Sequence, residues 1–322
     1  MDTKKVFICR PIPEIAEQIL RQAGIVVVKN EKDEVLSQIE LKRAVKGVDG
    51  ILSLLSDKID AGVLDAAGKQ LKIVANYAVG FDNIDIEGAK KRGVAITNTP
   101  GVLTESVAEH TIALMLAVAR RVAEADKFVR DGKYKQWEPL GFLGPQIWGK
   151  ALGVIGLGRI GSFVAGIAYH GFHMKILYYD LAPDERFEMD TDAKFCAPEE
   201  IYKEADFISL HLPLTPQTKH LISQDQFRAM KKSVILINTA RGPIVDEQAL
   251  VEALEQNEIA GVGLDVFEQE PEVSAPLKKM DNVVLTPHIA SATREARDAM
   301  AKIAAENIVE VLNGRKPLSP VY

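Results

Sequence analysis

The sequence predicts an α/β protein of two domains, each built on a parallel sheet. Three observations predict it. The chain has 322 residues, about two domains at ~100–200 residues each. Short β-branched runs alternate with helical stretches through almost all of it. Those runs are near-continuously apolar, as strands are in a parallel sheet covered on both faces. Hydrophobic residues are 47% and charged residues 26%, enough apolar surface to exclude disorder as the main state.

The first five strands are KKVFIC, IVVVK, GILSLL, LKIVANY and VAITN. Between them lie PEIAEQILRQAG, EVLSQIELKRAVKG, DAGVLDAAG and IDIEGAKKRG, whose apolar residues recur every three to four positions. Each runs to a glycine, a common helix stop. The rhythm changes at Pro100-Gly101. From about Leu103 to Asp131 the spacing predicts one helix of roughly 40 Å, long enough to cross between domains. Thr104 and the pair Ser106-x-x-Glu109 are its candidate caps. The loop WEPLGFLGPQIWGK follows, and it reads either as a surface loop packing against its own domain or, since exposed aromatics mark association surfaces, as an arm that contacts a second subunit. From Ala151 a second series supplies the strands ALGVIG, KILYYD, DFISLHL, SVILINT, AGVGLDV and NVVLTP. A last long helix, SATREARDAMAKIAAENIVEVLNGR, can return the chain to the first domain.

Charge and composition exclude several function classes. With 39 Lys and Arg against 45 Asp and Glu, the net charge is −6, unlike a nucleic-acid-binding face. No run approaches the ~18–20 apolar residues of a membrane span. The start, MDTKKVFICRPIPE, has too short an apolar run for a signal peptide. Cys9 and Cys196 are far apart and without a CxxC, so they read as buried, inert thiols rather than a disulfide or zinc site. No metal site is expected, and the compartment reads as cytoplasmic.

The strongest local signal is Gly156-Leu157-Gly158-Arg159-Ile160-Gly161. It follows the strand LGVI, opens a helix, and precedes a second strand ending in Asp180, 19 positions beyond Gly161. Gly156 suits a tight turn, Gly158 lets backbone approach a pyrophosphate, and Gly161 lets helix and strand pack closely. The helix N-terminus offers unpaired N–H groups to a diphosphate. Asp180 can accept from the adenosine ribose hydroxyls, which favours NADH over NADPH. Thr239, Ala240 and Arg241 end one strand, and Asp265 ends another, on the same carboxyl edge, where open α/β sheets bind ligands. Asp265 is read either as a contact to the nicotinamide carboxamide side or as a loop-holding carboxylate.

Of six histidines, His110 reads as structural within the long helix, and His170 and His173 sit at a helix end. His220 lies in a polar loop, and His211 ends a strand near the cofactor edge. His288 differs: it follows NVVLTP at the crossover between domains. Reducing a 2-keto acid needs an Arg to hold the carboxylate, a His to give the carbonyl oxygen a proton, and a carboxylate to orient that His. Arg241, His288 and Glu270 can fill these roles, although spacing alone does not show that they meet.

Seven motifs occur in order: NYAVGFDNID, TNTPGVLTESVAEH, GLGRIG, HLPLTPQT, INTARGPIVDEQAL, AGVGLDVFEQEP and LTPHIASAT. On these, over essentially the whole chain, the sequence resembles the D-isomer-specific 2-hydroxyacid dehydrogenases, and most closely their glyoxylate/hydroxypyruvate reductases. The resemblance implies two Rossmann-like or flavodoxin-like parallel-sheet domains with an interdomain cleft that closes about a hinge. Residues 1–99 plus 290–322 would bind substrate, and 100–289 would bind NAD. Arg241 would bind and polarise the substrate, His288 would be the acid/base, and Glu270 its partner. Backbone N–H groups near Val79 and Gly80 would grip the substrate carboxylate, beside a pocket lined by Leu55. The cofactor would lie across Gly158, Arg159, Ile160, Asp180, Thr239–Arg241 and Asp265, with Thr104 near the nicotinamide ribose. A homodimer is implied, with helix 103–131 and the aromatic loop at its twofold interface.

Two other functions compete. One is another activity of the same family, on D-lactate, D-3-phosphoglycerate or phosphite. The other is a dinucleotide-sensing binding protein, which would hold NADH without turning over keto acids.

Overall fold

A computed structural model describes residues 3–322. The chain forms two compact units. One contains Met1–Leu103 and Ala292–Tyr322, the other Thr104–Ser291.

The first unit opens with β1 (Lys5–Ile8), α1 (Ile15–Gln22), β2 (Val26–Lys29), α2 (Gln38–Ala44), β3 (Gly50–Ser53), α3 (Ala61–Ala67), β4 (Ile73–Asn76), α4 (Ile86–Arg92) and β5 (Ala95–Thr97). The strands pair in parallel in the order β2-β1-β3-β4-β5. Their registers align Val6 with Val27 and Gly50, and Val74 with Ile51 and Ile96. All of β3 and β4 is buried, while on the edge strand β2 Val26 and Val28 stay exposed. Helix starts are capped as their sequences dictate. Ser37 and Glu40 form a capping box on α2, and Asp60 and Asp85 accept from the N–H groups of Val63 and Gly88. The order reverses between β1 and β3, so the ligand-binding position lies beyond their carboxyl ends.

The second unit contains α5 (Thr104–Ala119), α6 (Val122–Arg130), β6 (Ala151–Ile155), α7 (Arg159–Phe172), β7 (Lys175–Tyr179), α8 (Glu185–Thr191), β8 (Lys194–Phe195), α9 (Pro198–Glu204), β9 (Phe207–Leu210), α10 (Gln224–Ala229), β10 (Ile235–Asn238), α11 (Glu247–Glu255), β11 (Gly261–Leu264) and β12 (Val283–Leu285). Its seven parallel strands run β12-β11-β10-β9-β6-β7-β8, reversing between β6 and β9. The chain then returns to the first unit in α12 (Arg294–Leu312), which packs on α1, β3, β4 and β5.

One sequence expectation is corrected here. The stretch 103–131 is not a single helix crossing between domains but two helices. α5 lies on β10, β11, β12 and α7, all of its own unit. Gly261 and Gly263 of β11 give it room, since a Cβ on Gly261 would stand 2.9 Å from Val118 and one on Gly263 3.2 Å from Leu114. The break falls at Arg121, which is left-handed (φ 52°). Its guanidinium bonds Glu124 at 2.7 and 2.8 Å and lies over the Phe142 ring. The expected Ser106–Glu109 box lies inside α5, whose first residue is Thr104.

Cys9 and Cys196 are buried and free, and burial pushes both thiols up. Among the described residues, no helix is long and apolar enough to cross a membrane.

Candidate active site

In the second unit the parallel strands all end at one edge, so the segments after β6, β7, β9, β10, β11 and β12 assemble there. After β6 the glycine loop turns. Gly156 has φ +97°, and a Cβ on it would stand 2.7 Å from the His211 carbonyl oxygen. Gly161 is buried, with only 2.0 Å between its would-be Cβ and the Gly156 carbonyl oxygen. Gly158 caps α7, and a Cβ there would meet nothing within 4 Å. That open space lies at a helix N-terminus, where backbone N–H groups favour an anion. Arg159 and Ile160 form the first turn of α7.

Asp180 follows β7 and ties that strand to the loop. Its Oδ2 accepts from Leu157 N at 2.7 Å and its Oδ1 from Leu181 N at 2.6 Å. A carboxylate offers about four acceptor positions, so two remain for ribose hydroxyls. Asp180 also lines an open hollow of about 480 Å³ with Leu157, Ala182, Pro183, Asp184, Glu185 and Arg186. The open backbone at Gly158 and the half-used carboxylate of Asp180 fit a dinucleotide. His211, after β9, bonds Ser209 Oγ at 2.8 Å, and burial of its ring pushes its pKa down to about 3, leaving a neutral imidazole.

After β10 the Thr239–Arg241 turn is fixed from three sides. Thr239 Oγ1 meets Thr111 Oγ1 of α5 at 2.9 Å. Asn238 Oδ1 accepts from Ala240 N at 3.0 Å, and Asn238 Nδ2 donates to Arg241 O at 2.9 Å. Gly242 lies flat against the next loop, a Cβ there falling 1.9 Å from Phe267 O. The Arg241 turn therefore touches, backbone to backbone, the loop that carries Glu270.

Glu270 and His288 do meet. His288 Nδ1 is 2.8 Å from Glu270 Oε2, and Glu270 Oε1 accepts from Phe267 N at 3.1 Å. His288 has a left-handed backbone (φ 54°), uncommon for a residue with a Cβ. Asp265 holds it there. The Asp265 carbonyl accepts from His288 N at 2.8 Å. Its side chain, fully buried, accepts from Ile289 N and Ala290 N at 2.8 Å each and from Thr286 Oγ1 at 2.6 Å. His110 Nε2 closes the cluster, 3.0 Å from Thr286 Oγ1 and 3.4 Å from Asp265 Oδ1. Burial acts to raise the Asp265 carboxyl, but these bonds together hold it below the ordinary aspartate range. The place of His110 in this cluster was not read from its helical spacing; the motif TESVAEH was the only sign.

Thr104 heads α5 and is buried. Leu55, Val79 and Gly80 belong to the first unit. Leu55 tips the loop after β3, and Val79 and Gly80 follow β4.

Residues 112–290 match the family model described as D-isomer specific 2-hydroxyacid dehydrogenase, NAD binding domain. The chain is 49% identical over 322 residues to a glyoxylate reductase of Thermofilum pendens, covering 98% of this chain and 94% of the relative. A solved protein of Thermus thermophilus superposes with a TM-score of 0.92 at 44% identity, over 99% of this chain and 100% of that one. An NADPH-dependent glyoxylate/hydroxypyruvate reductase of Sinorhizobium meliloti, solved with NADP and malonate, gives 0.85 at 31%, over 99% and 97%. A paired His and Glu, a carboxylate-anchored glycine loop and these likenesses lead to one conclusion: the chain belongs to the D-isomer-specific 2-hydroxyacid dehydrogenases, oxidoreductases that use a nicotinamide dinucleotide.

Proposed function

We propose that this enzyme reduces glyoxylate, and hydroxypyruvate beside it, to the D-2-hydroxy acid with NADH. The observation that carries the reading is the His288–Glu270 pair, 2.8 Å between Nδ1 and Oε2. With Nδ1 engaged by a carboxylate, Nε2 is the ring atom left to carry the transferable proton. When bound, a reduced nicotinamide would supply the hydride that reduces the carbonyl carbon. His288 Nε2 gives its proton to the carbonyl oxygen, and Glu270 orients and stabilises the charged ring. Arg241 binds the substrate and polarises its carbonyl, and the first unit's own carboxylate grip is the pair of Val79 and Gly80 N–H groups, with Leu55 on the neighbouring loop. Residues 1–99 plus 290–322 act as the substrate domain in this reading, and 100–289 as the NAD-binding domain. Gly156, Gly158, Arg159, Ile160, Gly161 and Asp180 hold the diphosphate and adenosine side. Thr104, Thr239 and Ala240 serve the nicotinamide side, and Asp265, fully buried, holds the loop that carries His288. The setting is cytoplasmic, where the two thiols stay reduced.

NADH is preferred because of Asp180. A 2′-phosphate would approach that carboxylate, and the hollow adds Asp184 and Glu185 against a single Arg186. At ~4 Å and an effective dielectric of ~20, like unit charges repel by about 4 kcal/mol. A third of that is about tenfold in affinity. The Sinorhizobium relative uses NADPH, so the ratio of kcat/KM for the two cofactors is the direct check. NADH should win in the native chain, and Asp180→Ser with Leu181→Arg should shift the ratio toward NADPH.

The enzyme works as a homodimer joined through α6 and the loop 137–150. The activity is tested by NADH consumption with glyoxylate, hydroxypyruvate, pyruvate and phosphohydroxypyruvate. Glyoxylate or hydroxypyruvate should give the highest kcat/KM. NADH binding with negligible turnover of all four would overturn the reading in favour of a sensor.

A further inference from the structure

The segment after β4 presents an unusual backbone. Three successive carbonyls are all taken from within the first unit. Ala78 O accepts from Thr99 N at 2.9 Å, Val79 O from Asn98 Nδ2 at 2.7 Å, and Gly80 O from Asn76 Nδ2 at 2.8 Å. In a planar trans peptide the N–H points opposite to the C=O. Fixing these carbonyls therefore turns the N–H groups of Val79, Gly80 and Phe81 the other way. Among the described residues, none of the three donates to a protein acceptor. Consecutive outward N–H groups make an anion-binding concavity.

Asn76 also ties this segment, through Asn83, to a second loop. Asn83 Nδ2 donates to Leu54 O at 3.0 Å and Asp57 O at 2.9 Å, holding the loop that carries Leu55. Asn83 Oδ1 accepts from Asn76 Nδ2 at 3.1 Å, and Asn76 Oδ1 accepts from Ser53 Oγ at 2.9 Å. Asn76 is fully buried, so its amide can bond only to protein. Asn98 is anchored in turn, its N donating to Ser319 O and its carbonyl accepting from Ser319 Oγ.

We infer that Asn76, Asn83 and Asn98 are positioning residues for the substrate carboxylate. They aim the 79–81 N–H groups and lock them in register with the Leu55 loop. None of them touches the reacting atoms. The inference rests on the proposed reading of the 79–80 segment as the carboxylate grip.

The test uses the full chain with Asn98→Ala and Asn83→Ala, both at half-buried positions. Glyoxylate kinetics are combined with inhibition by oxamate, an unreactive carboxylate, and with NADH binding by fluorescence and thermal melting. Asn98→Ala frees the Val79 carbonyl, and Asn83→Ala unties Asn76 from the Leu55 loop, so in each variant the N–H groups should swing. KM for glyoxylate and the oxamate inhibition constant should each rise about tenfold, the scale of one lost hydrogen bond. kcat should stay within about threefold, with NADH affinity unchanged, because chemistry and cofactor sit elsewhere. Restoring an amide with Asn98→Gln should recover part of the oxamate affinity. Unchanged KM and oxamate inhibition, or a fall confined to kcat, would overturn the inference while leaving the keto-acid reading intact. A native chain that neither turns over keto acids nor binds oxamate would remove that reading and this inference with it.

Discussion

In the proposed reading most of the chemistry turns on His288, and the geometry of this residue is imposed from outside it. A left-handed backbone at a residue with a Cβ costs of order 1–3 kcal/mol and persists only where neighbours over-determine it. Asp265 does so with its carbonyl and both carboxylate oxygens. His288→Ala should lower kcat by roughly 10²–10⁴-fold, and near-native kcat would reject its role as proton donor. Arg241→Lys should damage kcat and KM together, since an ammonium lacks the planar fork. Asp265 carries a separate, pH-dependent expectation. A carboxyl held low in the folded state adds stability that is full above its unfolded pKa, ~3.9. That stability is lost as pH falls toward the folded value. Denaturant unfolding from about pH 6 to about pH 3 should show a steep acid loss in the native chain and a shallower one in Asp265→Asn. Parallel curves would show that Asp265 is not the titrating anchor. At this scale the motifs named His288, Glu270 and Asp265 from sequence. The bracket of Thr286 and His110 was not legible, because its partners lie 21 and 155 positions from Asp265.

At the scale of elements, glycines decide where backbone can approach backbone, and they separate two kinds of contact. Gly161 and Gly242 are closed by protein, with would-be Cβ clearances of 2.0 and 1.9 Å to carbonyl oxygens. Gly158 faces open space. Alanine at either closed site must push backbone aside, so Gly161→Ala and Gly242→Ala should melt earlier than the native chain. Gly158→Ala should melt normally yet bind NADH more weakly, because its methyl enters the open space that the proposed reading gives to the diphosphate. A normal NADH affinity in that variant would take the diphosphate away from this loop. Most elements were legible, since parallel strands are apolar throughout and helices keep their 3.6 period. The break at Arg121 was not, because arginine is a good helix former and its left-handed turn depends on Phe142 and Glu124. Strand β8 has two residues, too few for any period to register.

The whole molecule uses its C-terminal segment twice over: α12 packs on the first sheet, and the tail pairs with β5 through Thr97 and Pro320. Asn307, fully buried, accepts from Leu318 N at 2.8 Å and Ser319 N at 3.0 Å. A chain ended after Ser291 should therefore lose the cooperative melt of its first unit, even though residues 1–99 contain all five strands of that sheet. The second unit poses the opposite question, because it leaves apolar surface uncovered. Helix α6 is amphipathic, yet none of its residues is buried in the single chain. Val122, Val129, Tyr134, Trp137, Leu140, Leu143 and Trp148 all stay exposed, Leu140 at 81% and Trp137 at 78%. Scattered apolar residues need no explanation, but a concentration of them marks an association surface. A twofold pairing of this stretch satisfies both copies at once, as isologous contacts do. Sedimentation at micromolar concentration should give twice the chain mass. Leu140→Glu should shift it to the monomer without lowering the stability of the isolated chain, because Leu140 packs against little within it. A native monomer at that concentration would reject the dimer, and a Leu140→Glu dimer would move the interface away from this loop.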